Sequence, residues 1–418
     1  MHHGDLAPTM ARSGRANGPE NAAFNRWFRY PAGFSPEALS ATLQAIGNTA
    51  GLAVDPFAGV ATSAIPLARA GWRFRGIEVH PAIAEIASLK LSRPGDPNEL
   101  ADVARAIAQD APDGEWSAEH AMIQKSFAPE VLASLVGLRS SIEKGSRKWQ
   151  LHLKWALLAT LRDVAAVKVG WPYQRPDVER QAPHKSPRSR FVERAEQMAH
   201  DLALSPEPPD ALVSCGDSRD EAVWQRLLGS TLAQACVSSP PYLNNYDYAD
   251  ATRLELYFWK TVGSWAELTT VVRANMVTAS TQQTSIAKAR DAGNAVAGWG
   301  NLGREILLVR DRVSRERRRR ARGKEYDSLI PMYFLDLMNV LKNVRAHLEK
   351  DGVLAWVVGD SAPYGVLVDT PAFVSRMAEM VGLHAVQDRR LRSRGERWVS
   401  NGSRHHRALS ERLIVLRG

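Results

Sequence analysis

Along this chain, short apolar runs alternate with helical patterns over two stretches, and a long helix-rich stretch separates them. Residues 51–55 (Gly-Leu-Ala-Val-Asp) form a brief apolar run, followed by a Gly-containing turn and a helical pattern through Ala64, Leu67 and Ala68. A second run, residues 71–78, ends on Glu78, and Pro81 opens another helix. Strand, turn, helix, strand, helix predicts one half of a doubly wound parallel sheet. Upstream, Leu39, Leu43 and Ile46 have helical spacing, with Ser35 and Pro36 where a cap and first turn belong. From about residue 90 to 204 the pattern predicts helices, interrupted by a Pro-rich, basic loop over 171–190. Strand patterns resume at 210–217 and 235–239. A polar, Gly/Thr/Ser/Arg-rich stretch over 264–324 predicts an insertion, mobile in part. A helix follows at 330–347, then a strand at 352–360, a helix at 370–381 and two final strands, 384–386 and 412–416, with no helix between them.

Composition narrows the class. The 418 residues are 44% hydrophobic, enough for a sizeable core, and exceed one average domain. A formal net charge of +9 favours a polyanionic partner. Two cysteines, Cys215 and Cys236, support neither a disulfide framework nor a cysteine-based zinc site, and no metal site is expected. No apolar stretch is long enough to span a bilayer, so a cytoplasmic protein without a membrane partner is expected. Residues 1–20, rich in Gly, Ala, Pro and Asn, predict a disordered leader.

Two motifs carry chemistry. Asp55-Pro56-Phe57-Ala58-Gly59-Val60-Ala61-Thr62 follows the first strand, and Ser239-Pro240-Pro241-Tyr242 follows the apolar run at 235–237. The first places small residues where a backbone leaving a strand must approach a ligand closely. Glu78, at the end of the next strand, suits hydrogen bonds from ribose hydroxyls. No Gly-x-Gly-x-x-Gly follows the first strand, which disfavours a dinucleotide. In the second motif, the Ser239 hydroxyl and Pro240 carbonyl are acceptors on a loop stiffened by two prolines, with an aromatic face beside them.

Together these motifs resemble the site-specific amino-methyltransferases of DNA, of the cytosine-N4 type, in which a Ser/Asp/Asn-Pro-Pro-Tyr/Phe loop receives the exocyclic amine. The resemblance implies an α/β fold, a Rossmann-like seven-stranded class I methyltransferase sheet with helical and basic insertions, and S-adenosyl-L-methionine as cofactor. It assigns Phe34, Asp55, Phe57, Gly59, Thr62, Glu78 and Asp217 to the cofactor, with free loop N–H groups facing its carboxylate. It assigns Ser239, Pro240, Pro241 and Tyr242 to catalysis on a flipped base. Residues 243–248 and 253–255 are similar to a cytosine-N4 subgroup and are candidates for the base pocket. The family pattern carries a second glycine where this chain has Ala61, which asks for more room or a shifted loop. Pro241 stands where a ring-carbon methyltransferase would place its cysteine, so transfer is expected to be direct.

The implied organisation is a leader (1–20), a cofactor half (21–95), a helical insertion suited to target recognition (96–205), a catalytic half (206–263), a basic polar insertion suited to DNA contact (264–325) and the rest of the core sheet (326–418). Tyr173, Arg175, Arg317, Arg319, Arg392, Arg394 and Arg397 are candidate contacts to double-stranded DNA. The basic stretch around Trp398 reads as a functional loop. A cognate restriction or defence nuclease is the expected protein partner, and the nucleoid the expected place of work. Adenine N6 in DNA, an RNA substrate and a non-catalytic DNA-binding subunit of the same fold remain alternatives.

Overall fold

In a strand covered on both faces, every side chain must be apolar or paired, and Leu52–Asp55 (β1) meets that condition with four consecutive buried residues. The computed structural model describes residues 22–30, 33–47, 50–169, 175–180, 186–205, 209–243, 246–320, 323–394 and 408–418. The leader expected over 1–20 lies outside them. The other strands are β2 (Arg73–Glu78), β3 (Val167–Lys168), β4 (Arg175–Glu179), β5 (Ala211–Cys215), β6 (Ala233–Ser238), β7 (Leu348–Gly359), β8 (His384–Arg394) and β9 (Leu409–Arg417).

The expected seven-stranded sheet is present, in the order β5-β2-β1-β6-β7-β9-β8. All neighbours are parallel except β9, which runs antiparallel to β7 and β8. The chain therefore winds outward from β1 through β2 to β5, then crosses back to β6 on the other side of β1. That reversal opens a crevice at the carboxyl ends of β1 and β6, the usual ligand position in open α/β sheets. Both sequence motifs begin at those two strand ends.

Alternating strand residues feed two cores. Along β7, Val353, Ala355 and Val357 join one cluster, and Leu354, Trp356 and Val358 join the other. The first cluster continues into the helical segment through Leu153, Trp155 and Phe191, so this segment shares the sheet's core. The second contains Leu337, Leu341 and Val344 of helix Tyr326–His347 and Val374 and Met377 of helix Thr370–Met380.

Local signals behave as read at several ends. Ser35 caps helix Pro36–Ile46 by accepting from the Ala38 N–H, and Pro36 takes its first turn. Three expectations need correction. Part of the predicted loop 171–190 is ordered secondary structure: β4 pairs with β3, and helix Pro187–Ala203 starts within that range, capped by Ser186. The 264–324 stretch is built of helices, including Trp265–Val271, Ile286–Ala297 and Gly300–Arg318. Val296, Leu302, Ile306 and Val313 pack from it into the second core, an apolar stripe hidden among charges. The final strands are also longer than 384–386 and 412–416: β8 carries its charges on the sheet edge, and in β9, between β7 and β8, Glu411 is paired with Arg392. Arg389, Arg390, Arg392 and Arg394 thus lie in β8 rather than in a loop.

Candidate active site

The loop after β1 is held by a buried carboxylate. Asp55 accepts from the Phe57 N–H at 3.0 Å, the Ser63 hydroxyl at 3.2 Å and the Ser238 hydroxyl. Burial pushes its pKa up to about 6, opposed by those hydrogen bonds. Because Ser238 ends β6 immediately before Ser239, one side chain ties both motifs together. Gly59 and Ala61 both adopt left-handed backbone, φ +53° and +56°. The loop thus keeps a glycine-like conformation at Ala61 without a glycine, at a cost of about 1–2 kcal/mol. Lys90, fully buried, donates from Nζ to the Val60 carbonyl at 2.7 Å, and burial lowers its pKa to about 7. Thr62 accepts from the Phe34 N–H at 3.1 Å, fastening the N-terminal segment to the same loop.

Beside these loops lies a cavity. Phe57, Gly59, Glu78, Asp217, Ser239 and Pro241 line it, so six predicted site residues converge. Asp55, Phe34 and Thr62 support the loop from behind. Pro240 is buried beside the cavity without lining it. Glu78 accepts from the Gly59 N–H at 2.9 Å and the His80 N–H at 2.8 Å. Burial drives its pKa to about 7, with those hydrogen bonds opposing and the Asp55 charge adding. Asp217 is held by Arg219, whose Nη1 donates to Asp336 at 2.8 Å and whose Nη2 donates to the Asn275 carbonyl at 3.0 Å.

Four of the loop N–H groups expected to stand free for a ligand carboxylate are engaged. Phe57 N–H goes to Asp55, Ala58 N–H to the Ile77 carbonyl, Gly59 N–H to Glu78 and Ala61 N–H to the Ala58 carbonyl. The next helix, Ala64–Arg69, starts only after the loop has closed.

In the catalytic motif, the Ser239 hydroxyl donates to the Tyr242 oxygen at 3.4 Å, and Tyr242 donates to Glu411 Oε1 at 2.7 Å. Arg392 holds that same Glu411. The tyrosine is therefore oriented by β9 and β8. Cys236 is fully buried, accepts from Trp356 Nε1 and has its thiol pKa pushed up by burial, as expected of a core residue.

Of the base-pocket candidates, Tyr246, Asp247 and Tyr248 line the cavity, whereas Asn244 and Asn245 lie outside the described residues. Sequence reasoning missed Tyr30, Arg273, Met276 and Gln283, which also line it. Tyr30 lies four residues before Phe34, and its ring is 6.2 Å from that of Tyr248. Nothing in the composition of 264–283 marks the other three.

Among the described residues, none of the candidate DNA contacts lines the cavity. Arg317 pairs with Asp327 and Glu325, Arg319 with Glu316, and Arg392 with Glu411. Arg175 is exposed on β4, and Arg394 ends β8. Tyr173 and Arg397 lie outside the described residues, as does Trp398. Among the described residues, no His/Cys/Asp/Glu cluster suits a metal, and no helix is long and apolar enough to cross a membrane.

No protein-family model matches the chain, and no curated protein matches it. Two solved structures of the rRNA methyltransferase aviRa from Streptomyces viridochromogenes are distantly similar to this chain. One has a TM-score of 0.35 at 10% identity, covering 97% of this chain and 93% of that one. The other has a TM-score of 0.33 at 11% identity, covering 93% and 86%. Likeness at this level carries no argument about substrate.

Proposed function

We propose that this chain is an S-adenosylmethionine-dependent methyltransferase that modifies an exocyclic amino group of a nucleobase, with cytosine N4 in double-stranded DNA as its target. The observation that carries the proposal is the meeting of the two motifs at the sheet's switch point, joined by the Asp55–Ser238 hydrogen bond.

The residues present suit the cofactor. Phe57 offers a face to its adenosine or methionyl part, and ionised Glu78 has lone pairs left for ribose hydroxyls. Asp217, fixed by Arg219, is placed to accept from an adenine amine. When bound, the cofactor supplies an electrophilic sulfonium methyl.

An aromatic amine is a weak nucleophile because its lone pair is delocalised into the ring. Ser239 Oγ, which lines the cavity, would accept a hydrogen bond from one N–H and help localise that pair, an effect worth most when preorganised, while Pro240, buried without lining the cavity, fixes the loop. Two prolines and the Tyr242–Glu411 bond limit motion of the loop. The Tyr242 ring, beside Ser239 but not on the cavity wall, is the proposed stacking face for an extruded base, worth about 1–3 kcal/mol. With Pro241 in place of a cysteine and Cys236 buried, no covalent intermediate is needed. The net charge of +9 supports a nucleic-acid partner, and serine in the first motif position supports cytosine over adenine.

Incubation with labelled S-adenosylmethionine and unmodified genomic DNA, followed by digestion to nucleosides, tests the proposal. N6-methyladenine would keep the mechanism and change the base, and label in RNA alone would change the polymer. Cofactor binding without transfer would favour a non-catalytic DNA-binding subunit, a role in which a partner nuclease or methyltransferase would supply the activity.

A further inference from the structure

We infer that Arg273, carried by the inserted segment rather than by the sheet, is the residue that receives the methionyl carboxylate of the cofactor. This rests on the methyltransferase reading above. S-adenosylmethionine brings two cationic groups and one carboxylate into its site. The cavity walls hold three carboxylates, those of Glu78, Asp217 and Asp247, and Arg273 is the one cationic side chain lining it among the described residues. An entering carboxylate would meet net negative charge everywhere except at Arg273. Four of the loop N–H groups expected to receive it, those of Phe57, Ala58, Gly59 and Ala61, are engaged by Asp55, Ile77, Glu78 and Ala58.

Arg273 has the capacity left. Its side chain is 2% exposed, Nε donates to Asp247 at 2.8 Å, and Nη1 donates to Thr269 at 2.9 Å. The guanidinium lies 4.0 Å from the Trp265 ring centroid. Nη2 is buried and has no hydrogen-bond partner. A buried N–H of a charged group left unpaired costs about 1–3 kcal/mol or more, so a ligand acceptor at this position relieves a penalty already present in the free protein. A guanidinium with two of its edges fixed is also preorganised for a carboxylate.

The surrounding strip is rigidly tied. Gln283 Oε1 accepts from the Ala279 and Ser280 N–H groups, and its Nε2 donates to the carbonyls of Arg273, Met276 and Val277. Asp336 accepts from the Thr278 N–H at 2.8 Å and from Arg219, which also holds the Asn275 carbonyl. Arg219 thereby connects the strip to Asp217 across the same cavity. The 273–283 part of the insertion is thus a wall of the cofactor site, whatever the more distal arginines do.

Titration calorimetry with three ligands tests the assignment: S-adenosylmethionine, its decarboxylated form and 5′-methylthioadenosine, which lacks the amino-acid portion. The wild type is expected to bind S-adenosylmethionine about tenfold or more tighter than the decarboxylated form, the scale of one charge-assisted pair. Arg273→Met should erase that preference while methylthioadenosine binding stays within about twofold, and Arg273→Lys should restore part of it. A preference that persists in Arg273→Met overturns the inference. So does a parallel loss of all three ligands in that variant, which would make the residue structural. Failure of the wild type to bind any of the three would instead overturn the methyltransferase reading itself.

Discussion

The Ser238 hydroxyl donates to the Asp55 carboxylate across the β1/β6 boundary, so the strand that launches the cofactor loop and the strand that launches the catalytic loop share a hydrogen bond. Asp55 is 2% exposed and satisfies three donors. Asp55→Ala leaves all three unpaired and should destabilise the protein by about 2–4 kcal/mol. Cofactor affinity should fall with it, because Phe57 and Ser63 lose their anchor. Ser238→Ala removes one bond and should destabilise by about 1 kcal/mol. Thermal melting and calorimetric binding of the two variants read both effects.

Ser239 lines the cavity without supporting the cofactor loop. Ser239→Ala should lower the rate of methyl transfer by about a hundredfold or more, on the scale of losing one preorganised hydrogen-bonding partner, with cofactor affinity unchanged within about twofold. Single-turnover transfer measured beside calorimetry separates the two. Loss of cofactor affinity in this variant would contradict the division of roles between the loops.

Glu78 gives a pH signature. Its folded pKa, about 7, stands above the ordinary 4.5, so the folded protein binds this proton more tightly than the unfolded chain. The contribution to stability is therefore fully present below about pH 4.5 and is lost as pH rises through 7, at most about 3 kcal/mol. Ribose hydroxyls need the ionised form, so cofactor affinity should run the other way and rise with pH up to about 7. Glu78→Gln should remove the Glu78 part of both profiles, leaving the contributions of Asp55 and Lys90 to stability, and weaken binding at neutral pH. Melting and binding titrations from about pH 5 to 8 check the two signs.

Ala61 occupies left-handed backbone at 2% exposure. Glycine relieves that strain but gives up a buried methyl and adds freedom to the unfolded chain. Ala61→Gly should therefore change stability by less than about 1 kcal/mol, where a buried alanine in ordinary backbone would lose more. Denaturant unfolding measures the difference. Cofactor affinity in this variant should be equal or higher.

Much of the core was legible because its residues have few alternatives. The apolar run Leu52–Asp55 suits a strand buried on both faces, and Gly59 and the Pro240-Pro241 pair act through local backbone geometry. The wall formed by Arg273 and Gln283 was not legible, since its place depends on contacts to Asp247 and Asp336 remote in sequence. Helix Gly300–Arg318 falls in the stretch whose sequence predicts a basic polar insertion, mobile in part, because its arginines mask a stripe of Leu302, Ile306 and Val313. In β8, Arg389, Arg390 and Arg392 resembled a loop because an edge strand can carry charge where a central one cannot.

The most direct test of the central claim is mass identification of the nucleosides released from DNA after incubation with the purified protein and labelled S-adenosylmethionine. The account predicts N4-methylcytosine, absent when Ser239→Ala replaces the wild type. Labelled DNA lacking N4-methylcytosine, or no label in DNA while the cofactor binds, would contradict it.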